Sequence, residues 1–197
     1  MTFTQTTRIN TKDDLRNHAR QLFAEHGYEG VSMRDIAAAV GIRQSAIYNH
    51  FPSKQHLLVD LMVSHMEQLL DAMRAAVGTS GTAAEQLAAF AQFHVTYHID
   101  QPEDTFLAYM ELRSLGPEGR AAIVPLRNAY EARLRQIIEA GARDGVFKVA
   151  DVALVVRAIL AMLTGVTVWF RDGGRLDRET AAGAYVATVL QSVGYAP

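Results

Sequence analysis

A chain of 197 residues, 49% hydrophobic and 20% charged with a formal net charge of −2, is long enough for one large or two small globular domains and too apolar to stay disordered. It has no cysteine, so neither a disulfide framework nor thiolate chemistry is available. The overall acidity argues against nucleic acid only until the chain is divided: residues 1–56 carry seven Lys/Arg against five Asp/Glu, net +2, and the remainder carries 12 against 16, net −4. That asymmetry, with His18, His26, His50 and His56 in the first part, suits a modestly basic head on an acidic body.

The N-terminal stretch MTFTQTTRINTKDD is polar and has no apolar core of the kind a signal peptide needs. Residues 31–57, VSMRDIAAAVGIRQSAIYNHFPSKQHL, are far more specific. Val31 is placed as an apolar staple, and Ser32 with Asp35 three positions on forms a capping-box start. Ile36, Ala37 and Val40 make a buried face, and Gly41 ends the helix where a left-handed backbone is wanted. A second helix is predicted over Arg43–His50, with Ile47 inward and Arg43, Gln44, Ser45, Tyr48 and Asn49 outward. Phe51-Pro52 stops it, and Ser53 caps the next helix with Lys54 in its first turn. Arg, Gln and Asn on a short exposed helix match the donor and acceptor pattern of the DNA major groove. This is a helix-turn-helix, with Gln44 and Arg43 as base readers and Ser45 and Asn49 beside them. Tyr48, His50 and Lys54 are expected at phosphates, together with Ser32 at its helix N-terminus and Arg34.

The segment resembles the DNA-binding domain of the TetR family of transcriptional regulators. Arg34, Ile36, Ala37, Val40, Gly41, Ile42, Tyr48, His50, Phe51, Ser53, Lys54 and Leu57 carry the resemblance, and upstream Ala19, Leu22, Phe23, Gly27, Tyr28 and Val31 agree with it. It covers roughly residues 12–58. Three positions depart from the usual pattern: Arg43 stands where Ser or Thr is common, Ser45 where Gly or Pro is common, and Gln55 where Glu is frequent. The resemblance implies an all-α fold, with a helix-turn-helix domain over residues 1–55 and a helical effector-binding and dimerisation domain over 56–197. It also implies a repressor that leaves its operator when a ligand binds; the expectation of a cytoplasmic location comes from the polar N-terminus, which does not read as a signal peptide, and from the short uncharged run in 152–170.

The remainder reads as helices, without a sustained alternating β pattern. From Ser53 a long helix runs to about Val77 with Leu58, Leu61, Met62, His65, Met66, Leu69 and Met73 at helical spacing. GTSG (78–81) breaks it, and Thr82 with Glu85 starts a helix carrying Leu87, Phe90, Ala91, His94 and His98 to about Asp100. Pro102 opens another, closed at Gly116-Pro117. A long helix through Leu126, Tyr130, Leu134 and Ile137 to Gly145 should start or kink at Pro125, where proline removes a hydrogen bond. Asp151 caps an apolar helix to Phe170, and Asp177 caps the last, ending near Gly194. In 152–170 Arg157 leaves only 13 uncharged residues (158–170), short for a bilayer span, so no membrane is expected.

The 152–170 helix is apolar nearly all round, and the final helix stripes Ala182, Val186, Leu190 and Val193 with Tyr185 and Val189 beside them. Two such helices from each of two chains make a four-helix interface, the dimer that the resemblance implies; completing a monomeric core is the other reading. A dimer places two recognition helices about 34 Å apart, or a multiple of it, on a pseudo-palindromic double-stranded operator.

For the sensed ligand, Met62, Met66, Met73, Phe90, Phe93, His94, Tyr97, Phe106, Tyr109, Met110 and Trp169 are large or adaptable side chains on helices around the body's centre. The same residues are ordinary core material. His94, Tyr97, His98, Tyr109, Glu111 and Arg113 add polar groups that need partners when buried. The candidate ligand site therefore includes Arg113, and its ligand is mainly apolar with one polar or anionic end. The family resemblance suggests an acyl thioester, a steroid-like catabolite or an aromatic compound.

Enzymatic readings are weaker. His94 and His98 have an i, i+4 spacing that can hold zinc, but the Glu of HExxH and a third ligand are missing. His65-Met66-Glu67 lacks the cysteine pair that deaminase chemistry needs. GTSG and GPEG follow no strand, and there is no GxSxG. Neither a metal nor a cofactor is expected. A helical adaptor that binds only protein is the alternative, and it leaves Arg43, Gln44, Tyr48 and Lys54 without a purpose.

Overall fold

The computed structural model describes residues 11–196, and no strand occurs among them. Most of the polar N-terminal stretch read above, and the first residues of the 1–55 domain, lie outside that range. The head comprises α1 (Thr11–Gly30), α2 (Met33–Val40) and α3 (Gln44–Ile47). The body follows as α4 (Lys54–Val77), α5 (Ala83–Asp100), α6 (Pro102–Met110) with a 3₁₀ turn at Glu111–Ser114, α7 (Pro117–Arg143), α8 (Val152–Thr164), α9 (Val166–Trp169) and α10 (Arg178–Ser192).

Sequence-local signals set most boundaries. Leu15, Ala19 and Phe23 recur every four residues on α1 and are wholly buried. α1 loses helical geometry at Gly27, whose φ of 73° favours glycine, and the chain folds back so that Tyr28 meets Phe23 with ring centroids 5.4 Å apart. Side chains of Ser53, Thr82, Asp151 and Asp177 each accept a backbone N–H three residues on, capping α4, α5, α8 and α10. Each such cap contributes about 1 kcal/mol. α4 buries Leu58, Leu61, Met62, His65, Met66, Leu69, Met73 and Val77 against α5 and α7, while α5 also packs on α8 and α10. α6 packs against both α1 and α4, so it touches the head as well as the body.

Three boundaries differ from the sequence reading. α7 begins at Pro117, with Gly116 as its cap, and Pro125 sits inside it. Pro125 and Ala121, the residue whose carbonyl loses its donor, are both exposed, so water can hydrate that carbonyl. The recognition helix is a single turn, Gln44–Ile47. Beyond it Asn49 N–H bonds to Ala46 O and His50 N–H to Ile47 O, the tighter i→i+3 pattern, so the regular helix stops short of His50. The helix starting after Asp151 ends at Thr164, and Gly165 separates it from α9. Val152–Trp169 does meet the length and hydropathy of a membrane span once Arg157 is tolerated. Here it packs on α5 and α7 through Val156, Ile159, Leu163 and Val166.

Candidate nucleic-acid interface and effector cavity

The helix-turn-helix is built by two caps and one buried isoleucine. Ser32 Oγ accepts from Asp35 N–H at 3.2 Å, and the Asp35 carboxylate accepts from Ser32 N–H at 2.9 Å, closing the predicted box. The Ser32 hydroxyl, which donates to the Asp35 carboxylate at 2.6 Å, and then the Ser32 N–H hold that carboxyl below the usual carboxylate range. Gly41, at φ 76°, ends α2 with its N–H on Ala38 O and Ile42 N–H on Ala37 O. Ile47 is fully buried, which turns Arg43, Gln44, Ser45, Tyr48, Asn49 and His50 outward, all exposed.

Ser32, Arg34, Gln44, Tyr48 and Lys54 gather around one open hollow of about 650 Å³ between the start of α2 and α3. Arg43, Ser45 and Asn49 lie outside its walls, and His50 borders a different groove with Lys12, Phe51 and Gln55. Lys54 has internal duties: its Nζ donates to Tyr28 O at 2.8 Å and Val31 O at 2.9 Å, and lies 4.1 Å from the Tyr28 ring centroid. An ammonium has three donors, so one remains for an outside acceptor.

The head is tied to the body by polar contacts that sequence reasoning did not single out. Arg16 grips Asp60 with two bonds of 2.6 and 2.9 Å, and Arg20 lies 2.8 Å from Asp104. Tyr28 N–H donates to Glu111 Oε1 at 3.0 Å. Gln55 Nε2 donates to Tyr28 Oη at 2.9 Å and Ser114 O at 2.7 Å, while its Oε1 accepts from Gly116 N–H at 3.2 Å. Ser114 O can only accept and Gly116 N–H can only donate, so this site requires an amide at position 55. The one sequence signal for it was the departure from Glu.

In the body, α4, α6, α7 and α8 border a cavity of about 120 Å³, partly open to solvent at exposed Tyr109 and Asn128 and walled also by His65, Met66, Leu69, Ala108, Arg127, Tyr130, Glu131 and Leu160. Of the residues expected at a ligand, Met66 and Tyr109 line it. Met62, Met73, Phe90 and His94 are buried in the surrounding core, and Phe93, Tyr97 and Phe106 pack against that core half-buried. Met110 and Arg113 are exposed at the end of α6 and in the turn after it. Trp169 is 46% exposed on the outer side, where its Nε1–H donates to Tyr185 Oη at 3.0 Å and the two rings stack. His65 and Tyr130 were legible only as members of apolar stripes; Arg127 and Glu131, interrupting the α7 stripe one turn apart, were the missed signal.

Three histidines lie in this core. His94 and His98 stack with centroids 3.9 Å apart, and His98 Nδ1 meets His94 O at 2.7 Å. His94 is bonded at both ring nitrogens, to Tyr130 Oη at 3.1 Å and Thr164 Oγ1 at 3.2 Å. Burial holds His65 down to about 4, helped by Arg20. Burial does the same to His98, also to about 4, with the His94 carbonyl opposing and His65 assisting. His94 is pushed well below the ordinary range by burial and by His98. All three are neutral at neutral pH.

The head and body thus define a helix-turn-helix DNA reader joined to a helical body with a small cavity between four of its helices. A family model for tetR-family bacterial regulatory proteins matches residues 15–61, and one for the tetracyclin repressor-like C-terminal domain matches 80–193. The chain belongs to the TetR family; it is a DNA-binding transcriptional regulator and not an enzyme. It is 27% identical over 186 residues to the HTH-type transcriptional repressor KstR2 of Rhodococcus jostii (strain RHA1), covering 92% of this chain and 90% of that one. A crystal structure of a tetR-family regulatory protein from Rhodococcus RHA1 superposes with a TM-score of 0.90 at 31% identity, covering 95% of this chain and 99% of the other. The fold is also that of AibR in complex with isovaleryl coenzyme A and operator DNA, with a TM-score of 0.83 at 24% identity over 90% of this chain and 96% of that one.

Gln55→Glu removes the donor to Ser114 O and sets a carboxylate against it; it should lower stability by about 1–3 kcal/mol, read as a lower chemical-denaturation midpoint. An unchanged midpoint would show that the joint contributes little. For pH, the folded values of His65 and His98 lie below the unfolded value, so their contribution is complete above pH about 6.5 and is lost as pH falls toward about 4. Each should cost on the order of 2 kcal/mol by about pH 4.5, and His98→Gln should flatten that part of the thermal-stability profile.

Proposed function

We propose that this regulator is a homodimeric repressor that holds a pseudo-palindromic operator and is released from it by a mainly apolar small molecule. The exposed single-turn helix is the observation that carries the reading. Its outward side chains are those that read base edges, and its flanks supply phosphate donors. Gln44 and Arg43 are assigned to bases with Ser45 and Asn49 beside them, and Ser32, Arg34, Tyr48, His50 and Lys54 to phosphates. The division falls near residue 55, with the reading head before it and the sensing and pairing body after it. Such a regulator works where the chromosome is, in the cytoplasm.

Dimerisation is supported by the apolar surface of α8 and α9. Leu154 and Val168 are 63% and 75% exposed, and half-exposed Trp169 lies on the same segment. Within the chain α10 spends Ala181, Ala182 and Val189 on packing, which leaves Tyr185, Val186 and Leu190 partly open for a partner. The effector is assigned to the cavity between α4, α6, α7 and α8, because Met66, Leu69, Ala108 and Leu160 give it an apolar wall. At about 120 Å³ the cavity takes a group about the size of a single ring, which suits an aromatic compound; an acyl thioester, as AibR holds, or a steroid-like compound requires it to widen on binding. Release then follows if the effector prefers a dimer whose two heads are wrongly spaced for the operator.

Selection of binding fragments from the source genome, followed by footprinting at two salt concentrations, should give a protected pseudo-palindrome with steep salt dependence. Gln44→Ala should relax base preference at its position at a cost of about 1–3 kcal/mol, whereas Arg34→Ala should weaken all sequences alike. Retention of the full sequence preference in Gln44→Ala would remove Gln44 from base reading. Leu154→Glu with Val168→Glu should yield monomers by sedimentation and abolish tight operator binding; dimers that persist would place the interface elsewhere. The effector assignment fails if no compound in a panel of lipophiles changes either thermal stability or operator affinity.

A further inference from the structure

One cation in the cavity wall has no anion. Arg127, on α7, is half-buried and borders the cavity where exposed Tyr109 and Asn128 leave it open to solvent. Its Nη1 donates to Ala108 O at 3.1 Å, and the guanidinium lies 5.1 Å from the Tyr109 ring centroid. Both contacts orient the group, and neither neutralises it. A guanidinium carries five N–H donors in a planar fork, so most of them are uncommitted. The carboxylate that the sequence sets within reach is already taken. Glu131 lies one helical turn from Arg127 and one from Arg135, and either pairing is open to it on a helix. It pairs with Arg135 at 2.6 Å, and among the described residues Arg127 has no ion pair.

The wall therefore holds one balanced pair and one unbalanced positive charge. Beside that charge, Met66, Leu69, Ala108 and Leu160 surround a space of about 120 Å³, comparable with apolar cavities that take one benzene ring. A ring seated there covers part of Arg127 and removes water from it. A charge that loses water is costly unless the ligand brings the opposite charge. An amide, a ketone or an alcohol accepts a hydrogen bond and supplies no charge. A carboxylate supplies both, and its two oxygens match the fork of the guanidinium. Asn128 borders the same opening with a side-chain amide that can donate as well.

We propose that the effector is a small cyclic or aromatic carboxylate, its ring against Met66, Leu69 and Leu160 and its anionic end on Arg127. This rests on the effector reading above and narrows its polar end to a carboxylate. The volume of the cavity sets the ring, and the unpaired guanidinium sets the charge. Arg127 also holds the last turn of α6 through Ala108 O, so the anion is received at a contact between α6 and α7.

The test uses the full chain and two probes of one shape that differ in charge, benzoate and benzamide, with dissociation constants from ligand-observed NMR near neutral pH. Benzoate should bind about tenfold more tightly, the worth of a hydrogen bond between charged groups over a neutral one. Arg127→Gln keeps a donor for Ala108 O and removes the charge, at a half-buried position that tolerates the change. It should bring benzoate to the level of benzamide and leave benzamide within about twofold of its original affinity. Arg127→Lys keeps the charge without the fork, so it should retain part of the benzoate preference. Leu160→Trp fills the cavity and should weaken both probes alike. Equal or tighter binding of benzamide, still weakened by Leu160→Trp, overturns the carboxylate assignment and leaves the effector cavity standing. A benzoate preference that persists in Arg127→Gln overturns Arg127 as its source. Binding of neither probe, or binding indifferent to Leu160→Trp, overturns the proposal together with the cavity as a ring site, whereas the panel readout on operator affinity judges the effector reading by itself.

Discussion

One helix belongs to both halves of the molecule. Lys54–Val77 starts beside the recognition turn, where Ser53 caps it, and runs for 24 residues, about 36 Å, into the centre of the body. Its first turn carries Lys54 and Gln55, which tie the head to itself and to the 3₁₀ turn after α6. Three turns further on, roughly 16 Å along the axis, His65 and Met66 form part of the cavity wall. An unbroken α-helix has no soft joint at which a displacement can be absorbed. Whatever moves α4 at the cavity must therefore tilt the head or break packing. α6 supplies the second connection, since Asp104 pairs with Arg20, and Glu111 just beyond it holds Tyr28 N–H.

The body's core is more polar than stability alone would require. Burying three neutral histidines, two with a ring nitrogen lacking any partner, costs free energy that leucines of similar size would not. What these groups give in return is position. The stack of His94 on His98 and the hydrogen bonds that link Tyr130 to His94, His94 to Thr164 and Thr164 to Tyr109 fix α5, α6, α7 and α8 at defined separations, because hydrogen bonds tolerate far less displacement than apolar contacts. Stability is supplied by the buried apolar side chains of the core, Leu57, Leu58, Leu87, Ile123, Leu134 and Ile138 among them.

How much was legible in the sequence depended on the range of the interaction. Ser32–Asp35, Thr82–Glu85, Gly41 and Ser53 act within one turn, and a cap needs only the identity of its neighbours, so these boundaries were readable in advance. The outward face of the recognition turn followed from the single buried Ile47. Where the reading slipped, a tertiary term outweighed a local one. Pro125 was accommodated because its face of α7 is open to water, and the recognition helix shortened because Phe51 must turn into the core a few residues later. Trp169, Met110 and Arg113 looked like ligand contacts from their chemistry, yet Trp169 and Met110 lie at the surface and Arg113 is exposed, since composition does not say which side of a helix faces in.

The sequence by itself therefore determined the class: an all-helical regulator with a helix-turn-helix head, its caps, the outward side chains of its recognition turn and its apolar body helices, all written in residues a few positions apart. Only the tertiary structure decided what joins the head to the body and what lines the cavity. Gln55 with Ser114, Tyr28 with Glu111, and Tyr130 with His94 are 59, 83 and 36 residues apart in the chain. Pairings at that range are set by how four or five helices settle against one another, and a hydrogen bond that depends on tenths of an ångström has no signature in the order of the residues that make it.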